Sequence, residues 1–364
     1  MPPLACRRGV GLLDVEALPP PRSWPAGCRR RAAEELASGC DANGMRVTGY
    51  IFYPTNLAAY FITRHHVALN GAAAAAGEYQ DLQDPLRLSD HVSLRRADIP
   101  VVFQDCTKPT FVQLLDMGRW YRAAAAGFLV NSFYEMENIN ADEINKLASE
   151  QDDDALPPAY TVGPLVRRSS GSDENGGVAE AACLEWLDHQ PAGSVVYVSF
   201  GSGGSLSVEQ MAELTAGLEI SGHRFLWVVR APSLKGPYSM EMESHDDGQD
   251  KQQDPLVWLP NGFMERMSSR GLIVAVWVPQ VRVLSSPATA ASVSHCGWNL
   301  AQESMAAGVP MITGINAAIL SMTIGVALRL RERRADGLIP REEIAAVIRG
   351  VMEGEEGMRH AWPG

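Results

Sequence analysis

Two short stretches of the chain carry residues whose types and spacing could do chemistry, Gly201-Ser-Gly-Gly204 and Ser294-His-Cys-Gly-Trp-Asn299. The second lies between a β-branched run at 290–294 and a helical stretch that reaches about Ala307 and closes at Gly308, so it reads as a helix N-terminus. Backbone N–H groups at such a start, together with the positive end of the helix dipole, suit an anion such as a pyrophosphate, and His295 and Asn299 add side-chain donors. Each residue also has a plain structural role to offer. A lone histidine is ordinarily a satisfied core residue, and Cys296 reads as a small hydrophobe. Adjacent residues on a strand point to opposite faces, which argues against a cysteine–histidine catalytic dyad. The glycine turn alone is weak: the third glycine of G-x-G-x-x-G would fall at Leu206, and the next strand ends at Arg230 rather than at a ribose-binding acid. A nicotinamide dehydrogenase is therefore excluded.

The elements that must position these residues are legible in the second half. Short β-branched runs at 195–200, 224–229, 272–277, 290–294 and 309–313 alternate with helix-like stretches, the pattern of parallel strands joined by crossover helices. Ser207-Val-Glu-Gln210 reads as a capping box; Met211, Leu214 and Leu218 share one helical face, and Gly222 suits the C-terminal cap. Strand, glycine turn and capped helix are thus expected in succession, with the turn at the carboxyl end of a buried strand where open α/β sheets bind ligands. The first half is less regular, but 47–54 and 127–133 read as buried strands and 56–63 as a helix. Residues 160–164 and the polar stretch 167–177 have linker composition, which places a boundary between an N-terminal domain (1–164) and a C-terminal domain (165–364). The polar stretch 233–254 reads as a surface insertion without chemistry.

Composition narrows the classes further. A chain of 364 residues can bury two cores. No run approaches the roughly 20 apolar residues of a membrane span. A net charge of −12 disfavours a nucleic-acid partner, and any anionic ligand needs a local device. Six cysteines, at 6, 28, 40, 106, 183 and 296, show no metal or disulfide spacing and read as reduced cytosolic thiols. The first 25 residues lack the apolar core of a signal peptide, so a cytoplasmic location is expected.

The ordered series Trp277-Val-Pro-Gln280, Val283-Leu-Ser-Ser-Pro287, Ser294-His-Cys-Gly-Trp-Asn299, Glu303-Ser304 and Gly308-Val-Pro-Met311 resembles the signature box of plant family-1 (secondary-product) UDP-glycosyltransferases. Gly49-Tyr-Ile-Phe-Tyr-Pro-Thr-Asn-Leu57, Gly127-Phe-Leu-Val-Asn-Ser-Phe133, Cys183-Leu-Glu-Trp-Leu-Asp188 and Ser194-Val-Val-Tyr-Val-Ser-Phe-Gly-Ser202 are similar to the same family, and to its hydroquinone or arbutin glucosyltransferase branch. The resemblance implies a GT-B fold of two Rossmann-like domains, an incomplete acceptor-binding one followed by one that binds the UDP-sugar. It implies transfer of a hexose, glucose, from the UDP-sugar to a hydroxyl of a small phenolic acceptor. The UDP-sugar is a co-substrate; no cofactor or metal is expected, and the protein is expected to be a monomer.

By the same resemblance Trp277 stacks the uracil, the Val278 main chain bonds its edge, and Gln280 serves the nucleoside. His295, Gly297, Trp298 and Asn299 surround the pyrophosphate, Ser202 contacts a phosphate, and Glu303 grips the ribose hydroxyls. A helix-terminus site replaces a metal in stabilising the departing UDP.

The sequence departs from the family in three places. Leu300 stands where the family has Ser or Thr, so only its backbone N–H can donate, and weaker donor binding is expected. Met311-Ile-Thr-Gly314 runs directly into Ile315-Asn-Ala-Ala-Ile-Leu320, so the acid–Gln pair that binds the sugar has no counterpart. The family's catalytic histidine near the chain start has no match either. No histidine precedes His65, the family role does not transfer to His65 or His66, and Asp41 is a loose candidate for the acid that orients the base. Residues 1–43 fit no opening strand and glycine loop, and the end near Gly364 falls short of the family's final helix, so a truncated or mis-spliced gene model is expected. Loss of a general base typically costs about 10²- to 10⁴-fold in rate. The alternative is therefore a glycosyltransferase-like protein that binds UDP or a partner without turnover.

Overall fold

The computed structural model describes residues 50–63, 86–87, 93–94, 111–116, 118, 126–149, 157–166, 178–201, 204–232, 238–240, 254–275, 277–295, 297–313, 327–330 and 337–354. The chain divides into two compact units between Leu165 and Val166.

In the first unit, β1 (Tyr50–Tyr53), β4 (Gly127–Val130) and β5 (Ala159–Thr161) form a parallel sheet with β4 in the middle. A separate antiparallel pair joins β2 (Leu86–Arg87) and β3 (Ser93–Leu94). Helix α1 (57–63) starts at Asn56, whose Oδ1 accepts from the Ala59 N–H at 2.8 Å. Its Tyr60 meets Phe128 of β4 edge to face at 5.1 Å, which closes the aromatic core of this unit. Tyr160 and Thr161, expected to begin a linker, belong to β5. Backbone pairing with β4 decides this, and composition does not report it.

Glu137, in α2 (Tyr134–Ser149), holds these pieces together. It leaves helical geometry at φ −127°, ψ 32°, and its buried carboxylate accepts the Leu57 N–H, 3.1 Å from each oxygen. The Ser132 hydroxyl and Asn140 Nδ2 donate to it as well. One acid thus caps α1 from another element and ties β4 to α2.

The second unit is built on one six-stranded parallel sheet, ordered β10–β8–β6–β11–β12–β13. The strands are β6 (Val195–Val198), β8 (Arg224–Val229), β10 (Gly271–Ala275), β11 (Thr289–Ser294), β12 (Met311–Thr313) and β13 (Ala327–Arg329). Numbered within this unit, the order is 3-2-1-4-5-6, the doubly wound arrangement whose topological switch lies between β6 and β11. Side-chain alternation gives each strand two apolar faces. Val196, Val198, Phe225, Trp227, Ala291 and Val293 face α4 (Val208–Ser221) and α8 (Arg341–Glu353), while Val195, Tyr197, Leu226 and Val228 face α3 (Val178–Asp188), α6 (Gln280–Leu284) and α7 (Trp298–Ala306).

Helix α4 begins and ends as its residues predict. Ser207 accepts from the Gln210 N–H at 3.1 Å, Met211, Leu214 and Leu218 are buried, and Gly222 takes φ +80° at the C-cap. The second half of the expected capping box does not form. The Gln210 side chain instead accepts from the Ile339 N–H and donates to its carbonyl, at 2.9 and 3.1 Å, because α8 packs against α4 and offers unpaired backbone at its entry. Two further expectations are corrected. A short strand, β7 (Gly204–Leu206), intervenes between the glycine turn and α4, and it pairs antiparallel with β9 (Tyr238–Met240), so the polar insertion contributes a strand.

Candidate functional site

The switch point between β6 and β11 is where the carboxyl ends of two neighbouring strands part and leave a crevice. The chain leaves β6 into Gly201, whose φ of +72° only glycine adopts without strain. It leaves β11 into His295. A Cβ on Gly201 would stand 2.7 Å from His295 Cε1, and one on Gly297 2.7 Å from His295 Nε2. The imidazole is thus seated between two glycine backbones, and any side chain at either position would displace it. Arg230, at the end of β8, donates through Nη1 to the Gly201 carbonyl at 2.9 Å and fixes the turn from behind. That is the position a dinucleotide fold would give to a ribose-binding acid.

Burial pulls the His295 pKa from 6.5 down to about 4, so the ring is neutral at neutral pH. It can donate one N–H to an anion but brings no charge; attraction for the anion has to come from the start of α7. Gly297 is the N-cap of that helix, with no side-chain cap bond, and the Ala301 N–H closing onto the Gly297 carbonyl at 3.0 Å is its first intrahelical bond. The amides of the turn before it point out along the helix axis. Asn299 is exposed there, whereas Trp298 is buried and offers the site its main chain only. The Leu300 side chain turns inward to the apolar layer beneath the sheet.

Two residues past the end of β10, Trp277 is 61 % exposed, an indole on the surface rather than in the core. Val278, next to it, is buried at 3 % and can act only through its backbone. Gln280 opens α6 and donates through Nε2 to Glu303 Oε2 at 2.6 Å, while Tyr197 donates to Gln280 Oε1 at 3.3 Å. Glu303 is one helical turn beyond Asn299 on α7. The structure therefore brings Gly201, His295 and Gly297 together at one corner and Gln280 with Glu303 at another. Ser202, Cys296, Asp41, His65 and His66 lie outside the described residues. Among the described residues no group of three His, Cys, Asp or Glu side chains could hold a metal ion, and no helix is long and apolar enough to cross a membrane.

Two residues were missed in the sequence. Tyr197 carried a usable signal, since a tyrosine inside a strand buried on both faces must find a partner for its hydroxyl. Arg230 carried none, because only the parallel pairing of β8 with β6 brings it beneath the turn.

Residues 179–315 match the family model described as UDP-glucoronosyl and UDP-glucosyl transferase. The structure overlays on that of Phytolacca americana UGT2 complexed with UDP-2fluoro-glucose and pterostilbene, with a TM-score of 0.72 at 35 % identity, over 90 % of this chain and 67 % of that one. The chain belongs to the plant family-1 UDP-glycosyltransferases. Its fold is GT-B, and both units are Rossmann-like. Among curated family members it is 42 % identical to UDP-glycosyltransferase 72B1 of Arabidopsis thaliana over 85 % of this chain and 63 % of that protein. It is 38 % identical to the hydroquinone glucosyltransferase of Rauvolfia serpentina, over 86 % of this chain and 64 % of that protein. The chain thus spans somewhat under two thirds of the length of these two relatives.

Proposed function

We propose that the chain carries the donor site of an inverting glycosyltransferase that moves a hexose, glucose, from a UDP-sugar to a hydroxyl of a small phenolic acceptor. Residues 165–364 bind the donor and residues 1–164 the acceptor. The observation that carries this reading is the corner at the switch point, with His295 seated between Gly201 and Gly297 at the start of α7. Trp277 stacks the uracil, the Val278 backbone meets its edge, and Gln280 and Glu303 take the ribose. His295, Asn299, Ser202 and the main chain of Gly297 and Trp298 receive the diphosphate. The acceptor hydroxyl attacks the anomeric carbon in line and releases its proton to water, the bond from that carbon to the UDP oxygen breaks, and the α7 amides take up the charge that develops on UDP. An acidic chain can do this without a metal, because the positive end is supplied by oriented backbone. The phenolic acceptor is supported by the hydroquinone glucosyltransferase and the pterostilbene-bound relative. The protein acts as a monomer in the cytoplasm, in plant-type secondary metabolism.

Calorimetric titration with UDP tests the donor site, and Trp277→Ala should weaken binding by about 1–3 kcal/mol, the worth of one base–aromatic stack. Failure of the unmutated chain to bind UDP refutes the reading. Release of UDP from UDP-glucose in the presence of hydroquinone tests transfer.

A second reading, a chain that binds UDP or a partner without turnover, is favoured by the run of Met311-Ile-Thr-Gly314 straight into Ile315, which leaves no counterpart of the acid–Gln pair that binds the sugar in the family. Robust turnover by the unmutated chain refutes it.

A further inference from the structure

A line of hydrogen bonds reaches Glu303 from inside the sheet. Tyr197 stands on β6 with 1 % of its surface exposed, packed among Cys183, Leu226 and Val283. Its hydroxyl is 3.3 Å from Gln280 Oε1, and Gln280 Nε2 is 2.6 Å from Glu303 Oε2. Chemistry settles the directions. A carboxylate only accepts, so the amide must turn its NH₂ group to Glu303; its carbonyl then faces Tyr197, and only the phenol can donate across that gap. Burial, with the Glu303 charge adding to it, raises the Tyr197 pKa above its usual range, against an opposing influence of the nearby Ser199 hydroxyl. The phenol thus keeps its proton and stays a donor. From Tyr197 through Gln280 to Glu303 both donors point toward the carboxylate, an order in which each bond polarises the next.

The ring of Tyr197 would pack equally well as phenylalanine. What the hydroxyl adds is a fixed setting for Gln280, whose amide would otherwise be free to rotate at the half-buried start of α6. Gln280 in turn engages one carboxylate oxygen of Glu303, which fixes the plane of the group and the direction of its other oxygen.

We infer that Tyr197 is a positioning residue for nucleotide recognition: through Gln280 it holds the Glu303 carboxylate in the orientation that receives the vicinal hydroxyls of a ribose. This rests on the UDP reading given above. Tyr197 touches no ligand itself.

The test titrates UDP and 2′,3′-dideoxy-UDP into the full chain and into Tyr197→Phe, Gln280→Leu and the double variant. The unmutated chain should prefer UDP. Tyr197→Phe should lose about three- to tenfold in UDP affinity, the worth of one hydrogen bond, and leave the dideoxy compound unchanged. Gln280→Leu should lose the preference as well, and adding Tyr197→Phe to it should change nothing further. Equal weakening of both ligands in Tyr197→Phe would mark a loosened core and overturn the inference, as would a preserved preference. Should Tyr197→Phe fail to fold, a preference retained by Gln280→Leu still refutes the relay. Failure of the UDP reading looks different: the unmutated chain then binds neither ligand, or both alike, and the inference falls with it.

Discussion

Glu137 and His295 are both titratable groups with little access to water, one in each unit, and they are held in opposite ways. Glu137 is surrounded by donors, the Leu57 N–H and the Ser132 hydroxyl from neighbouring pieces of scaffold and the Asn140 amide from its own helix. His295 is gripped by shape, with a glycine backbone on either side, at the carboxyl end of a strand beside the switch point. Burial shifts both pKa values toward the neutral form, upward for the acid and down to about 4 for the imidazole. The difference lies in how each group is placed. Glu137 spends its capacity on holding α1 and α2 to the sheet, whereas His295 is placed by the close approach of two glycine backbones beside the switch point.

The contrast predicts that the two groups fail in different measurements. Glu137→Ala leaves a buried amide and a buried hydroxyl without their acceptor and should cost the first unit about 3 kcal/mol or more, read as a lower midpoint in denaturant. UDP affinity of the folded protein should not change. If stability is unaffected, Glu137 is not the clamp its contacts describe.

His295→Ala should do the reverse. Losing one donor to a charged diphosphate weakens UDP binding by about 1.5–3 kcal/mol, while stability moves by about 1 kcal/mol or less. Gly201→Ala sharpens the point, because it leaves the imidazole chemically intact. A left-handed φ and a methyl 2.7 Å from the ring together force the turn or the histidine to move. Its cost in UDP affinity should approach that of His295→Ala, by calorimetry; an unaltered affinity would separate the glycine cradle from binding.

The pH dependence of stability differs in sign between the units. Glu137 has a raised folded pKa, so the native state binds its proton more tightly, and stability falls as pH rises from 4.5 toward that raised value. His295 has a lowered one. Its contribution is fully present above the unfolded value of 6.5 and is lost as pH falls toward about 4, a span worth on the order of 3 kcal/mol. Acidification between 6.5 and 4 should therefore weaken the second unit, and His295→Gln should flatten that slope. A diphosphate beside the ring raises its pKa, so UDP binding near pH 5 should take up protons, measurable as a buffer-dependent binding enthalpy.

Much of the second unit was legible in its residues, because local rules and tertiary packing agree there. The run at 224–229 is β8 as read, Ser207 and Gly222 bound α4, and Gly308 closes α7 at φ +69°. The helix start at Gly297 follows from a buried strand meeting an apolar-periodic stretch, so the corner's chemistry could be stated from sequence. Misreadings occurred where a remote partner decided. Gln210 obeys the capping-box pattern, yet it serves Ile339, 129 residues away. Tyr160 has linker neighbours, yet it pairs with Leu129 in β5. Residues 238–240 sit in a polar insertion, yet they pair with β7.

The order and spacing of Trp277, Gln280, His295, Asn299 and Glu303 were determined by sequence alone, because helix periodicity and strand ends are set by near neighbours. The sheet order 3-2-1-4-5-6, the seating of His295 between Gly201 and Gly297, the Arg230 bond behind the turn and the line from Tyr197 to Glu303 were decided only by tertiary structure. Each of these joins residues of different elements that parallel pairing and helix packing bring together, and pairings at long sequence separation leave no periodic trace in the chain.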